Sequence, residues 1–151
     1  MQLWVHELQA TGYLYQQITV GTRDIQLYAI RPHIMKFAAP AGSLTMRILD
    51  TNGKIIDSSE TLAISSVLTG LGTWPHGYQR FLISTELKAN TIYRIALVAS
   101  AGYAFSESAY IGWANDYDFR RVTASYTPSF GPYAALDTEL WVNEDTPRRV
   151  A

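Results

Sequence analysis

The chain has no cysteine. Disulfide staples, thiolate metal sites and thiol nucleophiles are therefore excluded, and the redox compartment leaves no mark. Charge of one sign is also missing: twelve basic and thirteen acidic residues give a net charge of −1. No basic block exists to neutralise a row of phosphates, and Arg120-Arg121 and Arg148-Arg149 are isolated pairs, so nucleic acid is not expected as a partner. No run approaches the roughly 18 apolar residues a membrane-spanning helix needs. The first residues, Met1 to Glu7, lack the basic and apolar regions of a secretory signal. If Met1 is the natural start, the expectation is a protein made in a cytoplasm and kept or assembled there.

Motifs of catalysis are lacking too. There is no Gly-x-Ser-x-Gly elbow, no His-Glu-x-x-His pair and no phosphate-cradling Gly-Lys-Thr loop. The three histidines, His6, His33 and His76, share no ligand spacing, and His33 beside Pro32 reads as a partly buried strand residue. Asn115, Asp116 and Asp118 offer oxygen atoms that Ca²⁺ could use. Without a following Gly or Glu, the segment reads better as a polar loop with local Asx turns, so no metal is expected. Carboxylate pairs for glycoside hydrolysis could be drawn from Asp116, Asp118, Glu107 and Asp137, but thirteen acids always offer such pairs. The chain is read as a non-enzyme that takes no cofactor.

What is present is a period of two. Leu44, Met46 and Ile48 alternate with Thr45 and Arg47, as in a strand with one face in a core. Asp50-Thr51-Asn52-Gly53 follows and predicts a hairpin turn into Lys54–Ser58, because Asn-Gly takes positive φ at little cost. Thr91–Val98 is apolar on both sides, the signature of a central strand, and Asn90 before it suits a left-handed turn. Further strands are expected over 12–20, 25–37 (with Pro32 marking an edge, a bulge or a break), 78–84, 108–113, 121–126 and 138–143. Leu62–Leu68 could form about two helical turns ended by Gly70. The 151 residues suit one domain, 1–151, with a short polar tail over 144–151. The fold class is all-β: a two-sheet antiparallel sandwich of jelly-roll type with at most one short helix. Leu3–Glu7 echoes Leu140–Glu144, which reads either as two independent strands or as two chain ends brought together.

Four stretches resemble a lectin-like jelly-roll domain found in tailed-phage virion proteins and bacterial surface proteins. They are Ala41–Ile48, Ile83–Leu97 with its Leu87-x-Ala89-Asn90-Thr91-x-Tyr93 unit, Ala109–Asp116, and Asp137–Val142. Asn90 stands where that family commonly has Gly, a mild departure because both tolerate positive φ. The resemblance implies carbohydrate binding or a structural role and carries over no catalytic residues.

Aromatic residues, ten Tyr, four Trp and five Phe, are the remaining clue. They crowd the second half, from Trp74 to Trp141, and a sandwich needs many of them in its core. Those in Gly- and Pro-rich loops are harder to bury. Trp74, His76 and Tyr78 in one loop, Tyr126, Phe130 and Tyr133 in another, and Trp113 are the candidate binding residues, as partner anchors or as stacking surfaces for sugar rings. Plugging the end of a sandwich is the competing reading for these loop rings. The expected function is that of a virion structural protein, a capsid decoration or fibre- or tail-associated subunit, made in the host cytoplasm. Its expected partners are other virion proteins or copies of itself, with carbohydrate recognition on cell-surface glycans as the alternative.

Overall fold

The computed structural model describes residues 5–67, 78–114, 120–121, 126–129, 136, 138–143 and 149–150. Thirteen strands follow in chain order: β1 (Val5–Glu7), β2 (Leu14–Val20), β3 (Ile25–Pro32), β4 (Ile34–Phe37), β5 (Ser43–Leu49), β6 (Ile55–Ala63), β7 (Phe81–Leu87), β8 (Ile92–Ala99), β9 (Tyr110–Ala114), β10 (Arg120–Arg121), β11 (Tyr126–Ser129), β12 (Thr138–Val142) and β13 (Arg149–Val150). All pairings are antiparallel.

One layer is the five-stranded sheet β11-β2-β8-β5-β6. The three-stranded sheets β12-β3-β7 and β1-β9-β4 contribute the other walls of a shared core, and β10 pairs with β13. From β2 to β12 the chain crosses repeatedly between the five-stranded sheet and the three-stranded ones, with β3–β4 and the β5–β6 hairpin each staying on one side. The molecule is thus an all-β antiparallel sandwich.

The period-two segments settle as their side chains dictate. Leu44, Met46 and Ile48 of β5 point inward at 0% exposure and meet Ala99, Leu97 and Ile95 of β8. β8 lies between β2 and β5, the central position its two-sided apolar pattern requires. The β5–β6 hairpin turns where Gly53 adopts φ +85, and the Asp50 carboxylate accepts the Asn52 and Lys54 N–H groups at 2.8 and 2.9 Å. Asn90 sits at φ 56, as its place before β8 demands.

Pro32 closes β3, and after His33 the chain resumes as β4 in a different sheet. Of the three meanings a proline in that run could have, the break is the one realised. His33 is fully buried there, more deeply than its sequence context suggests, and its carbonyl accepts the Ala114 N–H at 2.9 Å.

One expectation is corrected. The Leu62–Leu68 helix is not formed over its described part: β6 continues to Ala63 and only the 3₁₀ turn Ile64–Ser66 follows. Leu62 and Ala63 are held in the ladder opposite Leu44 and Ser43, and the Ile64 N–H donates to the Gly42 carbonyl at 3.0 Å, so no helical start is left free. For the echo between the chain ends, the reading as two independent strands is the one realised. β1 pairs with β9 while β12 pairs with β3, so the described parts of both segments are strands with similar needs in different sheets.

Tyr103 ties the end of the β1–β9 ladder. Its hydroxyl donates to the Leu8 carbonyl at 2.7 Å and accepts the Ile111 N–H at 3.0 Å, all in the buried interior. Tyr103→Phe leaves both backbone groups short of a partner, and we expect a loss of about 2 kcal/mol by denaturant unfolding at neutral pH. Desolvation holds the Tyr103 hydroxyl above the ordinary tyrosine pKa, with Glu7 and Tyr110 adding to the rise against the Ile111 N–H. The folded state therefore keeps this proton at pH values where the unfolded chain loses it. The stabilisation is complete below about pH 10 and declines as pH rises toward the folded-state value. In alkaline titrations of unfolding free energy, Tyr103→Phe should decline less steeply than the parent protein.

Candidate functional site

The outer face of β12-β3-β7 collects what a recognition surface uses. Antiparallel register places Trp141 opposite Ala29 on β3, and Leu82 of β7 opposite Ala29 on its other side. Directly opposed residues share a face, so Trp141, Ala29 and Leu82 form one row across three strands. Ala29 is itself buried at 1%, while Trp141 and Leu82 stand 41% and 48% exposed on either side of it. Tyr28, the next residue on β3, is 50% exposed, and both registers step over it, as at a bulge.

The neighbouring row pairs Arg31 with Glu139. One carboxylate oxygen, Glu139 Oε1, accepts the Arg31 Nη1–H at 2.6 Å and the Trp141 indole N–H at 2.9 Å. The Arg31 guanidinium carbon lies 4.9 Å from the centre of the Trp141 ring and 5.7 Å from that of Tyr78. Tyr78 in turn packs its ring 5.1 Å from that of buried His33. A charged pair thus orients an exposed indole on a strand rather than on a loop, so its orientation is set before any partner arrives.

Tyr78 is therefore the predicted binding residue that the structure brings into this site, half-buried and packed rather than projecting freely. Trp113 is corrected: it is fully buried on β9, between His6 of β1 and Ile34 of β4, because its position falls on the inward side of a central strand. It is a core residue and cannot stack on a ligand from there. Trp74, His76, Phe130 and Tyr133 lie outside the described residues, as do the calcium candidates Asn115, Asp116 and Asp118. Tyr126 opens β11 opposite Val20, with only its backbone described.

Arg31, Glu139, Trp141, Leu82 and Tyr28 escape the sequence reading as a site. Trp141 was visible there as one aromatic among many. Its partnership with Arg31 depends on a pairing between strands about a hundred residues apart, which no local pattern announces.

Elsewhere, His6, Glu7, Gln9, Thr11, Gly12, Tyr13 and Leu14 line an open cleft of about 340 Å³. It gathers one imidazole and one carboxylate. Among the described residues, no three His, Asp or Glu side chains gather as a metal site would require. No protein-family model, curated protein or solved structure matches the chain. The sandwich is established by its strand pairing alone.

The two tryptophans should separate cleanly. Trp113→Ala empties a core position and is expected to cost about 3–5 kcal/mol, whereas Trp141→Ala should cost no more than about 1 kcal/mol on this solvent-facing strand. Glu139→Ala releases the indole, so acrylamide quenching of tryptophan fluorescence should increase while the melting temperature falls by only a few degrees.

Proposed function

We propose that this protein is a non-catalytic structural subunit of a tailed-bacteriophage virion, a capsid decoration or a fibre- or tail-associated protein. It grips neighbouring subunits through the outer face of β12-β3-β7. The observation that carries the reading is the exposed row Trp141–Ala29–Leu82 with Tyr28 and Arg31 beside it. Trp, Tyr and Arg are the residue types that dominate binding energy at protein interfaces, and here they surround an apolar centre on an open sheet face. Side chains standing out from a sheet face suit a protein neighbour better than a small substrate, which needs a concave site. The lectin-like segments Ala41–Ile48 and Ile83–Leu97 add the virion setting, since similar domains occur there.

A carbohydrate-binding role is the second reading, favoured by one feature: the Trp141 ring is fixed through its N–H by Glu139 and presents exposed surface beside polar groups. A sugar ring could stack on that surface while Glu139 and Arg31 meet its hydroxyls.

Mass spectrometry of purified phage particles tests the first reading, which requires the protein in a fixed copy number per particle. In reconstitution onto particles lacking it, Trp141→Ala combined with Leu82→Ser should lower occupancy at least tenfold while the isolated variant keeps its fold by circular dichroism. A protein absent from particles, or a double variant that assembles normally, contradicts the proposal. Glycan binding abolished by Trp141→Ala, in a protein that never enters particles, would favour the second reading instead.

A further inference from the structure

The five-stranded sheet also has an outer face, and its centre carries two arginines. Ala96 of β8 points outward between inward-facing Ile95 and Leu97. Across the ladders it faces Tyr15 of β2 on one side and Arg47 of β5 on the other. Arg94 stands two residues before Ala96 on the same strand, hence on the same face. Sheet geometry puts it diagonal to Arg47, with backbones about 7–8 Å apart. Its guanidinium carbon lies 4.7 Å from the centre of the Tyr15 ring, at the β2 end of the row whose β5 end is Arg47. Three long side chains thus surround one small one, and Ala96 is completely buried among them.

Neither arginine has an acidic partner. Among the described residues, no carboxylate forms an ion pair with Arg47 or Arg94, and neither side chain makes a hydrogen bond. The Nε atom of each is buried without an acceptor. Two like charges on neighbouring strands of one face repel, and each polar atom left short of an acceptor adds a cost. A protein of nearly balanced charge that gathers two such groups on one face and leaves them unneutralised holds a site for a negative ligand. The forks of both arginines suit the paired oxygens of an oxyanion.

The surroundings choose the class of ligand. Gln17 lies on the row of Arg94, and Thr45 and Thr61, whose hydroxyls lie 3.1 Å apart, on the row beyond Arg47. The strongly exposed apolar side chains of this sheet are Ile55 and Ile56 at the start of the edge strand β6 and Ile92 at the start of β8, where Ile92 borders the arginine pair beside Arg94. Amide, phenol and hydroxyl groups around a cationic centre match a ligand rich in hydroxyls, whereas a protein neighbour would need an apolar centre such as the one on the opposite sheet. We propose that Arg47 and Arg94 form an oxyanion clamp that holds the acidic group of a sugar chain against the outer face of the five-stranded sheet.

Isothermal titration with polygalacturonate oligomers, dextran sulfate and neutral dextran tests the clamp on the full chain. Acidic chains should bind and neutral dextran should not, and the stronger of the two acidic ligands identifies the group as carboxylate or sulfate. Arg47→Gln and Arg94→Gln should each weaken binding at least tenfold with unchanged circular dichroism and melting temperature. Arg80→Gln, which removes the same charge from β7's approach, should stay within twofold. Trp141→Ala should bind as the parent does, which separates failure of the clamp from failure of the proposed assembly face. Equal binding of neutral dextran, no binding of either acidic chain, variants that bind unchanged, or tighter binding of a polyglutamate peptide than of any sugar would each overturn the proposal.

Discussion

The alternation of inward aliphatic side chains along β5 and β8 is the constraint on which the other features of this molecule depend. Leu44, Met46 and Ile48 lie against Ala99, Leu97 and Ile95 across the ladder, and every one of the first three is fully buried. A slip of one residue would turn all of them to solvent and carry Thr45 and Arg47 inward, at the cost of several buried side chains and an unpaired guanidinium. The register is therefore pinned from inside. Because it is pinned there, the outer faces inherit fixed neighbours: Arg47 must stand opposite Ala96, and by the same logic Trp141 must stand opposite Ala29. The recognition proposed for this fold is, on that reading, a by-product of core packing.

The polar groups admitted to the interior mark where that packing has to turn corners. Gln16 of β2 is only 2% exposed, and its side-chain oxygen accepts the Leu136 N–H at 2.6 Å, which links the five-stranded sheet to the approach of β12. His33 occupies the step where the chain leaves the β3 ladder for the β4 ladder. Gly42 makes a similar contribution at the entry to β5. Its φ of +109 suits glycine, and a Cβ there would meet the Tyr103 backbone nitrogen at 2.9 Å. Gln16 and Gly42 each meet a backbone demand that an aliphatic side chain could not.

What could be read from the sequence was what neighbours in the chain decide. The β5–β6 hairpin follows from Asp50-Thr51-Asn52-Gly53, the left-handed Asn90 from its place before a strand, and the central position of β8 from apolar residues on both its sides. The Pro32 break was visible as one of three outcomes. Distant pairing decided the rest. Whether Leu62 and Ala63 would start a helix depended on Leu44 and Ser43 already offering a ladder. Burial of Trp113 depended on β1 and β4 covering β9 from either side. Glu139 and Trp141 look like ordinary strand residues until β3 brings Arg31 beside them, and Arg47 and Arg94 look like solvated charges until β5 and β8 become neighbours.

Two open faces on one rigid core also bear on how strongly such a protein can bind. Trp141 at 41% exposure and Leu82 at 48% leave on the order of 100 Å² of apolar surface each to be covered, about 2–3 kcal/mol apiece at the usual area coefficient. Association entropy and the ordering of Arg31 and Tyr28 consume a large part of that. A single contact through this face is accordingly weak. Weak single contacts are what a repeated array needs, because a symmetric surface multiplies them while an isolated misplaced copy can still leave and correct its position. The orientation of Trp141 by Glu139 and Arg31 then matters more than its area, since a ring fixed beforehand loses little freedom on each of many encounters.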